Sequence, residues 1–250
     1  MISFTPDQVI VVTGASSGIG KACALLCNAL GATVLAVGRN EAALNEAGGL
    51  AADRTRWHNV RKDLLEDMEG LPAWVSGLRE RFGKLWGLAH AAGEGTLDSL
   101  RQYDLAKARR HFDINLHAPL LLAKGFADRR NFTKGGAMLF MSSVAAVYPE
   151  KGHILYGAGK AALTAALAAV SRETAAAGLR VHCLAPGLVE TPMLEASVSL
   201  VGEEYRTNQL ASYPLGFGRP EDIASMAAFL LSDKARWITG QNYVMAGGRY

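Results

Sequence analysis

Short runs of β-branched and apolar residues recur along the chain, each followed by a longer amphipathic or alanine-rich stretch. Parallel strands need a crossover of a dozen or more residues between them, so this rhythm predicts repeated β-α units. Seven strands are expected, at Val9–Thr13, Thr33–Val37, Trp57–Val60, Leu85–His90, Ala137–Met141, Arg180–Cys183 and Tyr243–Met245. Most are continuously apolar rather than alternating, the pattern of strands covered on both faces. The expected fold is an α/β, doubly wound, seven-stranded parallel sheet with helices on both faces. Helices fit Gly20–Leu30, Leu64–Phe82, Leu105–Arg129, Gly157–Ala177 and Pro220–Leu231, with Leu71-Pro72 expected to interrupt the second. The stretch Glu190–Gly218 has no evident place in the sheet and reads as a substrate lid at about 190–218.

Composition narrows the function classes. A chain of 250 residues, half of them hydrophobic, suits one large domain over 1–250 with a substantial core. The net charge of +3 is spread without a basic run, so no nucleic-acid partner is expected. No uninterrupted apolar stretch approaches 18 residues, so no membrane partner is expected either. Three cysteines in apolar contexts and no charged-then-apolar leader fit a reducing cytoplasm. Cys23 and Cys27 share a helix face, but no further ligand joins them; small apolar packing is the better reading, and no metal is expected.

Directly after the first strand stands Thr13-Gly14-Ala15-Ser16-Ser17-Gly18-Ile19-Gly20, and a helical pattern follows at once. Glycines there permit a tight turn and close backbone approach, so that unpaired amides and the positive end of a helix dipole face a pyrophosphate. The spacing is G-x-x-x-G-x-G, not the common G-x-G-x-x-G. A plain strand-to-helix connection is the competing reading; the flanking strand and helix favour dinucleotide binding. The second strand ends at Gly38-Arg39-Asn40, where NAD-selective domains usually carry a carboxylate for the ribose 2′-hydroxyl. Gly38 leaves room for a 2′-phosphate and Arg39 can grip it through its fork of N–H donors. NADP(H) is therefore expected over NAD(H), against the alternative that Arg39 is merely a solvated residue opening a helix.

Tyr156 and Lys160 stand four apart in a helical stretch, on one face. An ammonium ~4 Å from the phenol, at an effective dielectric near 20, is worth about 4 kcal/mol, or roughly three pKa units in favour of phenolate. That would bring Tyr156 toward neutrality, the condition for efficient general acid-base work. Y-x-x-x-K alone is a weak motif. It gains weight from Met141-Ser142-Ser143, which closes the preceding strand at the carboxyl edge where open parallel sheets bind ligands. The Ser143 hydroxyl can hold a substrate carbonyl; local turn chemistry is the other use of Ser142 and Ser143.

On these residues the chain resembles the short-chain dehydrogenase/reductase (SDR) family over nearly its whole length, and within it 3-oxoacyl-acyl-carrier-protein reductase-like members. The family's T-G-x-x-x-G-I-G matches Thr13 to Gly20, placing Gly14, Ser16, Ser17, Gly18, Ile19 and Gly20 on the cofactor. Its active-site Ser, Tyr and Lys match Ser143, Tyr156 and Lys160, and its P-G turn matches Pro186-Gly187. The resemblance implies a Rossmann-type domain and a hydride passed between nicotinamide C4 and a carbonyl or secondary alcohol, with Tyr156 as general acid/base. It implies that Asn115, in Asp113-Ile114-Asn115-Leu116, completes the catalytic set within a locally distorted helix, where a water is held for a proton relay to Lys160. It implies that Lys160 holds the nicotinamide ribose, that Thr191 and the Val189 backbone meet the carboxamide or phosphates, and that Asp63 contacts adenine. A homodimer or homotetramer is implied as well.

The chain departs from the family pattern at three places. His90-Ala91-Ala92-Gly93 lacks the usual first Asn, although Ala92 and Gly93 keep the close backbone approach to the cofactor. His182 stands where an Asn is frequent, and Ala246 replaces an acid near the carboxyl end. Altered local hydrogen bonding rather than lost chemistry is expected. Substrate contacts are expected from Glu94, Tyr148, His153, Met193 and Leu194, with Glu150 and Lys151 as further pocket candidates. The expected substrate is a small carbonyl or alcohol: a 3-oxoacyl thioester, which predicts dependence on basic carrier-docking residues, or a polar sugar-like or secondary-metabolite carbonyl; Arg109-Arg110 and Arg129-Arg130 could dock an acidic partner, although ordinary solvated helix faces are the better reading. A non-catalytic NADP(H)-sensing module is the reading from a different class.

Overall fold

The computed structural model of the chain describes residues 1–249. Its seven strands, β1 (Val9–Thr13), β2 (Thr33–Gly38), β3 (Trp57–Arg61), β4 (Leu85–His90), β5 (Phe132–Met141), β6 (Arg180–Pro186) and β7 (Asn242–Met245), fall where the apolar runs stand. They form one sheet in the order β3-β2-β1-β4-β5-β6-β7, with every pair parallel. The chain runs outward from β1 to β3, returns to place β4 beside β1, and proceeds in the opposite direction to β7. That reversal opens a crevice beyond the carboxyl ends of β1 and β4, the place where such sheets take ligands.

Two cores lie on opposite faces of the sheet, and the period-2 geometry of a strand divides the residues between them. On one face, Ile10, Val12, Val34, Ala36 and Leu139 pack with α1 (Gly18–Ala29), α2 (Glu41–Gly49) and α9 (Pro220–Leu231). On the other, Val9, Val11, Leu35, Val37, Met138 and Phe140 pack with α3 (Leu71–Phe82), α5 (Ala118–Phe126) and α6 (Ile154–Ala175). The doubly wound architecture is borne out. Cys23 and Cys27 are fully buried in the first core, where desolvation pushes both thiols up, Cys27 to about 12. The 22-residue α6 is long and apolar enough to cross a membrane by length and composition; here Leu163 and Leu167 lie in the second core.

Several expected boundaries move for identifiable reasons. Pro72 does not interrupt a helix at 64–82; it sits in the first turn of α3, where its missing N–H costs nothing, and residues 64–70 are turns. Sequence reading missed α2, whose start is signalled by Asn40: its side chain accepts a bond from the Ala43 N–H at 3.1 Å. The expected helix Leu105–Arg129 is three pieces: α4 (Leu105–Phe112), a π-helical turn at Asp113–His117, and α5. Pro119 cannot donate to the carbonyl four residues back, that of Asn115, and its ring crowds it; the chain widens instead, and the Ala118 N–H reaches the Asp113 carbonyl. The excursion at 190–218 carries α7 (Pro192–Val201) and α8 (Glu203–Leu210) rather than irregular chain. It is pinned at its base, with the Glu190 N–H on the Gly218 carbonyl at 2.9 Å and the Gly218 N–H on the Leu188 carbonyl at 3.0 Å.

Phe126, 1 % exposed, plugs the second core from α5. Phe126→Ala is expected to lower unfolding stability by ~3–5 kcal/mol, read from urea denaturation, whereas a loss below ~1 kcal/mol would mean this core collapses onto the vacancy.

Candidate active site

Two adjoining cavities open above the carboxyl edge of the sheet, one of about 270 Å³ along the β1–α1 loop and one of about 170 Å³ over β5 and α6. Ile19, Ala91, Gly93, Glu94, Thr191 and Met193 line both.

The first cavity is shaped by residues that cannot carry side chains. Gly14 has φ +71°, and a Cβ there would lie 2.8 Å from the Ala92 nitrogen; a Cβ on Gly20 would lie 2.2 Å from the Gly14 carbonyl oxygen. The loop from Thr13 therefore turns tightly against the strand end at Ala91–Gly93. Ser17 precedes α1 without a side-chain cap, and the first turn holds no acidic residue, which leaves amide donors and the positive helix end facing the cavity. Ser16, Ser17 and Gly18 line it, with Gly38, Arg39 and Asp63 on the far wall. The Arg39 guanidinium stands 3.8 Å from the Asp63 carboxylate and is largely exposed. Lys62, on the same wall, was not singled out from the sequence; its place directly after β3 and before Asp63 was the available signal.

His90 stands beneath this loop, 1 % exposed, with Nδ1 2.8 Å from the Thr13 hydroxyl. Burial, then the Lys160 charge, pushes it down to about 3. The departure from Asn thus leaves a neutral ring fastened to Thr13, while the Ala92 N–H still donates to Thr13 Oγ1 at 3.4 Å. His182 lies away from both cavities. It faces Arg180 and Tyr243 on the sheet, and burial pushes it down to about 4. The Ala246 carbonyl accepts from the Arg249 N–H at 3.0 Å, and the neighbouring Met245 carbonyl accepts from the Gly187 N–H at 2.9 Å.

The second cavity gathers Ser143, Tyr156, Lys160 and Asn115 from three elements. Ser142 and Ser143 diverge: Ser142 is turned into α6 against the Thr164 hydroxyl at 2.7 Å, whereas Ser143 lines the cavity and also accepts from the Ala145 N–H at 3.1 Å. Ser143 thus serves the turn foreseen for it while also lining the cavity. Lys160 is 5 % exposed and donates from Nζ to the Met141 carbonyl at 2.8 Å; burial pushes it down to about 8. Its Nζ is 5.8 Å from the centroid of the Tyr156 ring. The expected acidification of Tyr156 by this neighbour is not found. Desolvation raises the phenol above its ordinary value, opposed by a hydrogen bond with Ser143.

Asn115 occupies the π-helical turn and donates from Nδ2 to the Glu94 carbonyl at 3.0 Å. Its Oδ1 is buried without a partner. A Cβ on Gly93 would fall 2.9 Å from that oxygen and 3.4 Å from Lys160 Nζ, so acceptor and amine share one gap that only glycine leaves open. His111, one helical turn before Asn115, sets its ring edge-on to Tyr156 with centroids 6.1 Å apart; the i, i+4 spacing to Asn115 was the missed signal. His153 flanks Tyr156 at 6.0 Å, its Nδ1 buried and unpartnered, its loop held by the Asp98 N–H on the Gly152 carbonyl at 2.6 Å.

Of the other pocket candidates, Glu94, Tyr148, Glu150, Met193 and Leu194 line the second cavity, with Glu94 paired to Arg110 at 3.0 Å. Lys151 is exposed and not among the lining residues. Pro186, Gly187 and Val189 form the wall beyond β6, and Thr191 caps α7 by accepting from the Leu194 N–H at 3.4 Å. Gln209, Tyr213 and Arg249 also line this cavity and were missed, since they converge only through the 190–218 excursion and the end of the chain.

The profile described as Enoyl-(Acyl carrier protein) reductase matches residues 14–249. An NAD-dependent glycerol dehydrogenase of Listeria innocua is 32% identical over 244 residues, covering 97% of this chain and 93% of its own. A 3-oxoacyl-[acyl-carrier-protein] reductase of Thermotoga maritima is 30% identical over 251 residues, covering 96% and 97%. Among solved structures, a glucose/ribitol dehydrogenase-type short-chain dehydrogenase/reductase from Brucella melitensis superposes with a TM-score of 0.89 at 28% identity, covering 100% of this chain and 99% of its own. The chain belongs to the short-chain dehydrogenase/reductase family of nicotinamide-dependent oxidoreductases.

The buried histidines make stability pH-dependent. His90 and His182 bind protons less readily folded than unfolded, so their contribution is complete above about pH 6.5 and is lost as the pH falls toward 3 to 4, at about 1.4 kcal/mol per unit for each residue. Urea midpoints at pH 7 and 4.5 are expected to differ less in His90→Asn than in the natural chain; an equal fall in both would contradict the buried neutral imidazole.

Proposed function

We propose that the protein is an NADP(H)-dependent carbonyl reductase or alcohol dehydrogenase in which Tyr156 is the general acid/base. The observation that carries this reading is the convergence of Ser143, Tyr156, Lys160 and Asn115 on one cavity that shares a wall with the glycine-shaped crevice. The crevice fits a dinucleotide: two glycines admit no Cβ, and the first turn of α1 offers uncommitted donors. When bound there, the nicotinamide supplies or accepts the hydride. Ser143 Oγ orients the substrate oxygen, and Tyr156 gives that oxygen its phenolic proton. Burial keeps the phenol protonated, the state in which it can act as an acid toward a carbonyl oxygen. Lys160 supplies the cation that stabilises the phenolate left behind and grips the ribose, and the unpartnered Asn115 Oδ1 accepts from the donor that returns the proton.

The NADP(H) preference rests on Gly38 and Arg39 at the end of β2, with Lys62 beside them; Arg39 exchanges its partner Asp63 for the stronger charge of a 2′-phosphate. Asp63 then faces the adenine side, and Pro186, Gly187, Val189 and Thr191 the nicotinamide side. For the substrate, a polar sugar-like or secondary-metabolite carbonyl fits better than a carrier-bound thioester. The cavity is compact, its carboxylate Glu94 is neutralised by Arg110, and Arg130, a candidate for carrier docking, is chelated by Asp128 at 2.7 and 3.0 Å.

Tyr156→Phe is expected to lower kcat by ~10²–10⁴-fold, followed at 340 nm with NADPH and a ketone panel, while NADPH affinity by fluorescence titration holds. Near-normal turnover would remove the proton role; no turnover by the natural chain on any ketone would favour a sensing module. Arg39→Asp is expected to shift the NADPH/NADH ratio of kcat/KM by roughly 10- to 100-fold toward NADH, as loss of 1.5–3 kcal/mol of charged hydrogen bonding requires. An unchanged ratio would refute the assignment.

A further inference from the structure

Arg249, next to the carboxyl terminus, reaches back into the substrate cavity of its own chain. Its guanidinium pairs through Nη2 with Glu150, in the loop ahead of α6, and donates through Nη1 to Gln209 Oε1 on α8. The Gln209 amide in turn donates to Glu150 Oε2 at 3.4 Å, closing a triangle of three side chains from three distant segments. The guanidinium carbon lies over the Tyr213 ring, 4.9 Å from its centroid. Tyr213 is itself seated on the wall beyond β6: its hydroxyl accepts from the Leu188 N–H at 2.9 Å, and a Cβ on Gly187 would come within 2.8 Å of its ring. The backbone repeats the connection, with the Leu215 N–H on the Gly247 carbonyl at 3.0 Å.

An isolated ion pair on an open surface holds little. This one is different in kind. The Arg249 side chain is only 15% exposed, its fork engages two partners at once, and its face is covered by an aromatic ring. All four side chains line the cavity over Ser143 and Tyr156. The clasp therefore ties α8 and the end of the chain to the loop that leads into Tyr156, and it neutralises Glu150 in doing so.

We infer that Arg249 is a specificity-determining residue: its clasp on Glu150 and Gln209 sets the reach of the substrate cavity and confines the site to compact, uncharged carbonyl compounds. This rests on the hydride-transfer reading and adds the size and charge of the substrate. An elongated acyl chain would have to displace the guanidinium from its carboxylate. Among the described residues, the contacts of Glu150, Gln209 and Tyr213 oppose that displacement.

The test compares the natural protein with Arg249→Ala, using NADPH and two ketones: cyclohexanone as the compact probe and the N-acetylcysteamine thioester of 3-oxooctanoate as the elongated one. The kcat/KM ratio of elongated to compact substrate is expected to rise at least 10-fold in Arg249→Ala, and less in Arg249→Lys, which keeps the charge without the fork. A ratio that stays level or falls overturns the inference. Hydrogen exchange of the amides in 203–213 gives a readout independent of turnover: it is expected to quicken at least 10-fold in Arg249→Ala, and equal exchange overturns the clasp. Should neither ketone be turned over by the natural protein, the exchange result alone decides the clasp, while the hydride-transfer reading is decided by the wider ketone panel. Glu150→Gln removes the charge with little change of shape and carries both readouts if Arg249→Ala does not fold.

Discussion

A buried amine held by a backbone carbonyl is the constraint on which the site is built. Lys160, nearly without solvent, donates a hydrogen bond from Nζ to the Met141 carbonyl at the carboxyl end of β5 and is pushed down to about 8 by desolvation. A cation in such a place has few ways to be satisfied, and the surrounding chain supplies them sparingly: one carbonyl, and a gap beside Gly93 faced by the unpartnered Asn115 oxygen. Tyr156 lies across from it, kept neutral by its own burial. The charge is thus stored near the phenol without being spent on it, so that its effect falls on the phenolate formed when a proton leaves, where it contributes to the transition state and not to the resting protein.

The sheet and the helices serve that placement. β5 ends at Met141 because its continuous apolar run gives way to two serines, and the parallel register sets this end level with the ends of β4 and β6. Asn115 reaches the same level from a helix whose ladder Pro119 interrupts with its missing N–H, at the π-helical turn. The nucleotide crevice obeys a different rule, that of excluded side chains, with Gly14 and Gly20 permitting the loop to fold against Ala92.

Much of this was legible in the sequence because it depends on local period and on residues with singular backbone properties. The seven strands follow from apolar runs, and the crevice from Thr13 to Gly20, whose glycines have no substitute. The convergence of Ser143, Tyr156 and Lys160 was readable through spacing and through resemblance. What was not legible depends on long-range contact. The clasp of Arg249 joins residues 99 apart in the chain, and nothing local marks it. Helix α2 was hidden by its weakly apolar sequence, although Asn40 marked its start. The sign of the Tyr156 shift was misread for the same reason: spacing places Lys160 on the right face, but only the fold shows how deeply the phenol is buried.

The most direct test of the account is the titration of Tyr156 itself. With tyrosine labelled at Cζ and the Tyr156 signal assigned by its loss in Tyr156→Phe, carbon NMR of the cofactor-free protein should find this phenol still neutral at pH 10, the ordinary value for tyrosine. An ionisation near pH 7 in the cofactor-free protein would contradict it, since the lysine would then be acting on the resting phenol and burial would not be the governing force.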